Sequence, residues 1–247
     1  MTTRADAMTT AAAFIVVHYP DCRAAFLAGS VMRGDHTPTS DLDIVIVAGR
    51  PEAPFRESLY FGGWPVEAFV HTPESIRHYF AKDVARRRPS LPMMCTEGAI
   101  LRNLDGLAAQ IRAEAEALLA AGPPPLTPDE IDTRRYFLTD LLDDLQGAAD
   151  EGERFFIAAE LAQQAAEFVL AYHGQWTGIG KWTPRALHRY NPALADRLAA
   201  ALRELYCHRR ADALMAFVDG TLAPAGGRLF AGFRQQGQDI PPAASPG

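Results

Sequence analysis

The sequence contains few cysteines, which limits its covalent and metal chemistry. The three thiols, Cys22, Cys95 and Cys207, are widely spaced and odd in number. This pattern supplies neither a metal-ligand pair nor a disulfide framework. We therefore expect three small buried thiols in a protein of the reducing cytoplasm.

Basic runs are scarce as well. The nearest candidate for a basic patch, Arg86-Arg87-Arg88, ends at a proline, and the 247 residues carry a formal net charge of -6. A protein that binds nucleic acid without regard to sequence needs a broad basic surface to displace counterions from phosphates. The composition therefore disfavours a nucleic-acid partner.

A long hydrophobic run is also missing. The apolar stretch near the N-terminus is too short to span a bilayer, and no small-residue cleavage pattern follows it. We expect an amphipathic first helix and no membrane partner. The hydrophobic content of 48% and charged content of 22% are typical of a globular protein with a buried core.

Two compositional regimes divide the chain. Residues 24–70 are rich in β-branched and aromatic residues and predict strands over 24–28 and 42–47, with a hairpin over 57–70 around Gly62-Gly63. After Thr72, which we expect to cap a helix, the pattern is helical to the end. The sequence thus predicts an α+β fold, an α/β domain with a short mixed sheet followed by an all-helical bundle.

A proline-rich segment separates these regimes. The sequence GPPPLT at residues 122–127 cannot be helical and is stiff, so we place a linker there. The predicted organisation is a catalytic domain over residues 1–121, a helical domain over 128–236 and a disordered tail over 237–247.

The segment from Gly29 to Val47 carries the main chemical signal. Gly29-Ser30 ends the first predicted strand, and after a ten-residue gap Asp41-Leu42-Asp43 leads into the next. Residues two apart on a strand project to the same face, so Asp41 and Asp43 lie side by side. Such a pair of carboxylates repels and loses hydration, a cost that a divalent cation such as Mg²⁺ removes.

Mg²⁺ in proteins usually keeps one or two carboxylate ligands and completes its shell with water and phosphate oxygens. The pair therefore predicts a nucleoside triphosphate as the remaining ligand. Gly29 lets the backbone approach a phosphate closely, and the hydroxyls of Ser30 and Ser40 can donate to it. Asp-x-Asp alone is common in polar turns, whereas the whole constellation is restrictive.

These residues resemble the signature of the polymerase-β-type nucleotidyltransferase superfamily, an apolar residue, Gly-Ser, a variable loop and Asp-x-Asp. The gap length and Arg33-Gly34 are similar to the small bacterial members, including aminoglycoside nucleotidyltransferases and the minimal nucleotidyltransferases paired with helical partners. The resemblance implies that Asp41 and Asp43 hold Mg²⁺. It also implies that Gly29, Ser30, Arg33 and Ser40 contact the triphosphate, with ATP as co-substrate.

The family usually places a third carboxylate on a later strand, and Glu67 in the segment PVEAFV is the candidate here. Alternation puts Glu67 on the face of Phe69 rather than on that of the core valines. The resemblance implies that Glu67 is either the general base for the acceptor hydroxyl or a third metal ligand. An ordinary exposed strand glutamate is the alternative.

The helical domain offers two further candidates. Lys181, between glycines and a new helix, could reach the β and γ phosphates, although its segment is also a good interhelical loop. Asp140, Asp143 and Asp144 share one helix face, where like charges cost a few tenths of a kcal/mol per pair. They form either a solvated face or a binding surface for a cationic acceptor.

The sequence and the resemblance together predict metal-dependent transfer of a nucleoside monophosphate, AMP from ATP, to a hydroxyl of a small molecule such as an aminoglycoside-like antibiotic. Two alternatives stay open. The chain could modify a protein hydroxyl as a regulatory or antitoxin-like nucleotidyltransferase, or it could be a non-catalytic nucleotide-binding module.

Overall fold

The computed structural model describes residues 6–49 and 54–236. The chain forms two compact units, Met1–Pro124 and Pro125–Gly247. Their boundary falls inside the segment 122–127 where the sequence predicts a linker. The predicted disordered tail, residues 237–247, lies outside the described residues.

The first unit is built around a five-stranded mixed sheet. In chain order its elements are α1 (Ala7–His18), β1 (Cys22–Ala28), α2 (Ser30–Arg33), β2 (Leu42–Ala48), β3 (Phe55–Phe61), β4 (Trp64–His71), α3 (Pro73–Ala85), α4 (Ser90–Glu97), β5 (Ala99–Asn103) and α5 (Leu107–Ala121). The strand order is β3-β4-β2-β1-β5. Strands β2 and β4 are parallel, and the other neighbours are antiparallel.

A tight turn fixes the hairpin of β3 and β4. Gly62 and Gly63 have φ angles of 56° and 82°, which only glycine adopts readily in succession, as a two-residue hairpin turn of this hand requires. The turn sets Phe61 opposite Trp64, and from there Ser58 opposite Glu67. The predicted hairpin is confirmed, and its turn determines that Glu67 pairs with Ser58.

Hydrophobic clusters cover both faces of the sheet. On β2, Ile44 and Ile46 belong to the cluster that includes Phe14 of α1, whereas Val45 and Val47 belong to the cluster formed with α3, α4 and α5. The strand is therefore buried on both sides along most of its length. Asp43, the second residue of the strand, is half-buried at the end of this cover, so its carboxylate is available for chemistry.

Strand β5 contradicts the expectation that only helices follow Thr72. Ala99–Asn103 pairs antiparallel with β1 and forms one edge of the sheet. The strand is short and mostly half-buried without alternation. Its only partner in the sheet is far away in sequence, so local periodicity could not identify it.

The regular secondary structure in the described part of the second unit is entirely helical, as predicted. Its helices are α6 (Pro128–Gly147), α7 (Glu151–Tyr172), α8 (Trp182–Tyr190), α9 (Pro192–His208) and α10 (Asp212–Leu222), followed by a 3-10 turn at Ala223–Ala225. Thr127 begins α6 with a capping box in which its hydroxyl accepts from the Glu130 N–H and the Glu130 carboxylate accepts from the Thr127 N–H. A core rich in leucine and alanine joins these helices.

The cysteines are all free, but only two of them are buried. Cys22 and Cys95 are inside the first unit, whereas Cys207 is exposed on α9, so the expectation of three buried thiols is wrong for Cys207. Among the residues that the structure describes, no helix has both the length and the apolar character needed to cross a bilayer.

Candidate metal centre

Three carboxylates meet at the start of β2. One oxygen from each of Asp41, Asp43 and Glu67 lies within 4.8 Å of the other two, and all three residues are half-buried. Among the described residues, no other group of three or more His, Cys, Asp or Glu side chains lies close enough together to hold a metal ion. The structure therefore brings together the three acidic residues that the sequence singled out.

The sheet topology produces this meeting. Asp43 on β2 is directly opposite Glu67 on the parallel strand β4, and Leu42 is opposite Val66. Residues opposite each other on adjacent strands project to the same side, so the two carboxylates share a face. Asp41 immediately precedes β2, which begins at Leu42 as the sequence predicts.

Gly29 lies against the Asp43 side chain. Its φ of +82° belongs to the left-handed region, and a Cβ built there would be 2.2 Å from Asp43 Oδ2. The neighbouring residue Ala28 is paired with Asp43 across β1 and β2. A glycine is therefore needed at this position both for the backbone conformation and for the space that the carboxylate occupies.

The loop between Gly29 and Asp41 is ordered by two serines. Ser30 begins the four-residue helix α2, an element that the sequence did not predict. The Ser30 hydroxyl donates to Ser40 Oγ at 3.0 Å, and Ser40 Oγ also accepts from the Thr37 N–H at 2.8 Å. Two of the residues predicted to contact phosphate, Ser30 and Ser40, are thus hydrogen-bonded to each other just before β2.

The environment of Asp43 opposes its negative charge. Burial, and after it the charges of Asp41 and Glu67, raise the pKa of Asp43 from 3.8 to about 6, while Arg33 and Arg56 act in the opposite direction. A carboxyl group desolvated beside two other carboxylates is stabilised by a bound cation. The site therefore has the electrostatic character of a cation site.

Arg33 lies at the edge of this group. Its guanidinium is 3.6 Å from Asp35 Oδ1 and 3.5 Å from Glu97 Oε2, and its side chain is 28% exposed. Glu97 ends α4, so this ion pair joins α2 to a distant part of the chain. No local pattern predicts this ion pair, because 64 residues separate Arg33 and Glu97.

Arg56 is a second basic residue at the site, and the sequence analysis missed it. From β3 its Nη2 donates to Glu67 Oε2. Its guanidinium also lies over the ring of Phe69, 4.8 Å from the centroid. The signal was present in the hairpin, because a two-residue turn at Gly62-Gly63 places Arg56 opposite Phe69 and close to Glu67.

The candidates of the second unit have exposed positions. Lys181 precedes α8, with Nζ 5.9 Å from the ring of Trp182. Asp140, Asp143 and Asp144 are exposed on α6, and Asp143 forms an ion pair with Arg228 at 3.4 Å. Their parts in phosphate and acceptor binding stay predictions.

The residues of the first unit fit a magnesium ion. Oxygen atoms of carboxylates are the ligands that Mg²⁺ prefers, and it commonly takes only one or two of them beside water and phosphate. Asp41 and Asp43 can supply these, and Glu67 is close enough to add a third oxygen. The raised pKa of Asp43 shows that its charged form is disfavoured, and a bound cation would stabilise that form.

Comparison with a protein-family model agrees with this geometry. The model of the nucleotidyltransferase domain family matches residues 19–90, a range that contains the three carboxylates and Gly29-Ser30. No curated protein matches the chain significantly. Its structure is similar to that of a nucleotidyltransferase-like protein from Exiguobacterium sibiricum, with a TM-score of 0.48 and 8% identity over 89% of this chain and 75% of that one.

Proposed function

Since residues 19–90 are a nucleotidyltransferase domain of the polymerase-β-type superfamily, we propose that the chain transfers a nucleoside monophosphate from ATP to a hydroxyl group. Pyrophosphate is the other product. The observation that carries the proposal is the close approach of the Asp41, Asp43 and Glu67 carboxylates beside the Gly29-Ser30 turn. This arrangement suits a metal-bound triphosphate better than any use of the three residues as structural ion pairs.

Asp41 and Asp43 would hold Mg²⁺, with Glu67 as a third ligand or as the base. Mg²⁺ in such a site neutralises charge on the triphosphate and on the leaving pyrophosphate. The two aspartates fix its position because β2 is buried on both faces just beyond them. A rigid strand end keeps these ligands in place without further ordering.

The turn at Gly29-Ser30 is suited to the triphosphate. Ser30 is the first residue of a helical turn, and the N–H groups at the start of a helix are suited to binding anions. The Ser30 and Ser40 hydroxyls add donors, and Arg33 adds a positive charge at the same edge. These groups would orient the phosphates for displacement.

In the transfer itself the acceptor oxygen attacks the α-phosphorus of ATP. The acceptor proton passes to the Glu67 carboxylate if that residue is the base, and the bond between the α-phosphorus and the bridging oxygen breaks to release pyrophosphate. Glu67 is half-buried and close to both aspartates, so it would be placed to accept the proton of an acceptor held beside them. Positioning supplies most of the rate enhancement in reactions of this kind.

We propose a small, cationic, hydroxyl-bearing acceptor of the aminoglycoside-like type. The support is the exposed acidic face of α6, where Asp140, Asp143 and Asp144 raise the local negative charge. Lys181 is proposed to contact the β and γ phosphates. Transfer to a protein hydroxyl and nucleotide binding without transfer are the competing functions.

One experiment separates these possibilities. The protein is incubated with labelled ATP and Mg²⁺, with and without a panel of hydroxylated antibiotics, and pyrophosphate release and label transfer are measured. Release that depends on a small acceptor and is lost in Asp43→Asn supports the proposal. Label on protein alone favours protein modification, and ATP binding without any release favours a binding module.

A further inference from the structure

Arg56 places a positive charge directly against the third carboxylate of the acidic group. It lies on β3, the edge strand of the sheet, and donates from Nη2 to Glu67 Oε2. Phe69 is directly opposite Arg56 in the hairpin, and its ring centroid lies 4.8 Å from the guanidinium carbon of Arg56. A cation stacked on an aromatic ring and bonded to a carboxylate is held by two independent attractions.

The order of the strands puts Glu67 between opposite charges. Strand β4 lies between β3 and β2, so Glu67 has Arg56 on one side and Asp43 on the other. One guanidinium therefore offsets part of the repulsion among three carboxylates.

Another cation can readily replace the Arg56 guanidinium at the Glu67 carboxylate. The Arg56 side chain is 57% exposed, whereas that of Glu67 is 25% exposed. Ion pairs with an exposed partner contribute little net free energy, so a divalent ion at the same carboxylate can replace the guanidinium. Arg56 can turn to solvent without disturbing the hydrophobic core.

We propose that Arg56 is a resident counter-cation of Glu67 that a divalent metal ion displaces, and that Arg56 thereby sets the metal affinity of the site. The inference rests on the proposed function, because it requires metal at the three carboxylates. Arg56 acts through Glu67 and is not a catalytic residue, because its guanidinium occupies that carboxylate before metal arrives. The cost of displacing the guanidinium from Glu67 weakens metal binding in the absence of nucleotide.

A purely structural role for Arg56 makes a different prediction. If Arg56 only joined β3 to β4, its removal would lower thermal stability and leave metal affinity unchanged. Competition for Glu67 instead couples the two cations, so that losing one strengthens binding of the other. Metal affinity is therefore the property that separates the two roles.

The test is a Mn²⁺ titration of the full chain without nucleotide, in which the electron paramagnetic resonance signal of free Mn²⁺ reports binding. Arg56→Gln is expected to bind Mn²⁺ about three- to tenfold more tightly than the unaltered protein, the size expected for removing a weak competing ion pair and a nearby like charge. Arg56→Lys, which keeps the charge but loses the planar contact, should lie between them.

Arg77→Gln is the matched control. Arg77 forms a comparable ion pair with Glu114 in the same unit, with the two side chains 41% and 33% exposed. Its loss removes the same unit of charge and should leave Mn²⁺ affinity unchanged. If Arg77→Gln changed Mn²⁺ affinity as much as Arg56→Gln does, the change would follow from net charge alone and the inference would be overturned.

A double-mutant cycle with Glu67→Gln completes the test. In the Glu67→Gln background, Arg56→Gln should change Mn²⁺ affinity by less than about twofold, because the contested carboxylate is gone. Unchanged affinity in Arg56→Gln, with Mn²⁺ binding still dependent on Asp43, overturns the role of Arg56 and leaves the proposed function standing. Mn²⁺ binding that is independent of Asp43 in every variant contradicts both.

Discussion

Asp43 and Glu67 lie directly opposite each other on the parallel strands β2 and β4, with a carboxylate oxygen of Asp41 within 4.8 Å of both. The arrangement is unfavourable in the absence of a cation, since burial and like charges raise the pKa of Asp43 to about 6. The unfavourable charge of Asp43 should therefore be measurable as a pH-dependent decrease in the free energy of unfolding, independently of any activity.

We predict that Asp43→Asn stabilises the metal-free protein at neutral pH. The pKa of Asp43 is about 6 in the folded protein and near 3.8 when the chain is unfolded. The folded state therefore retains a proton that the unfolded state releases, and the free energy of unfolding falls as pH rises from about 4 to 6. Removing the charge should recover about 1 to 3 kcal/mol at pH 7.

Chemical denaturation in chelator at pH 4 and pH 7 measures this effect. The gain from Asp43→Asn should be large at pH 7 and nearly absent at pH 4. Asp21→Asn, an exposed aspartate before β1, should show no such dependence. If the Asp43→Asn variant and the unaltered protein were equally stable at both pH values, the surroundings of Asp43 would not disfavour its charged form.

We predict that Gly29→Ala abolishes metal binding, whereas Gly34→Ala preserves it. Both glycines have positive φ angles, +82° and +73°, so both variants bear a similar backbone cost of about 1 to 2 kcal/mol. Only the Cβ at Gly29 meets a neighbour, Asp43 Oδ2 at 2.2 Å, and the Cβ at Gly34 meets nothing within 4 Å. Displacing a ligand by about 1 Å can reduce activity about 100-fold.

Isothermal calorimetry with Mn²⁺ and ATP measures the difference between these two variants, after circular dichroism has established that both are folded. If both variants lose binding together, the backbone strain is responsible. If both retain it, the contact between Gly29 and Asp43 does not position the metal.

We predict that Glu67→Gln retains metal-dependent ATP binding and slows transfer by about two to four orders of magnitude, the usual effect of losing a general base. Gln keeps the shape of the side chain but cannot accept the acceptor proton. Calorimetry and single-turnover kinetics on the same preparation give both quantities. Loss of ATP binding would mean that Glu67 is still a metal ligand when the triphosphate is bound, and an unchanged rate would remove it from the mechanism.

We predict that the acidic face of α6 selects for a cationic acceptor. Replacing Asp140 and Asp144 by Asn should raise KM for a cationic acceptor several-fold and leave kcat nearly unchanged, because uniform binding is lost. Asp143 is omitted since its ion pair with Arg228 has a structural contribution. Asp196→Asn, another exposed aspartate in the second unit, is the control. Equal KM values for both variants, or activity only with neutral acceptors, would contradict the role of this face.

Much of the site was predictable because its signals are local. Gly29, Ser30, Asp41 and Asp43 lie within a short stretch, and strand periodicity fixes which way the aspartates point. Glu67 required the hairpin, which Gly62-Gly63 makes visible. The same turn determines the position of Arg56, so that residue could have been found by counting back from the glycines.

The remaining features depend on contacts that local pattern does not encode. Strand β5 has weak alternation and is held by pairing with β1, about 75 residues earlier in the chain. The four-residue helix α2 is too short for periodicity to reveal. The ion pair of Arg33 with Glu97 joins two elements brought together only by the tertiary fold.

The most direct test of the account is the anomalous scattering of crystals grown with Mn²⁺ and a non-hydrolysable ATP analogue. The account predicts a Mn²⁺ peak about 2.1 Å from carboxylate oxygens of both Asp41 and Asp43, with the triphosphate beside Gly29 and Ser30. A nucleotide bound elsewhere, or Mn²⁺ that does not contact these two aspartates, would contradict it.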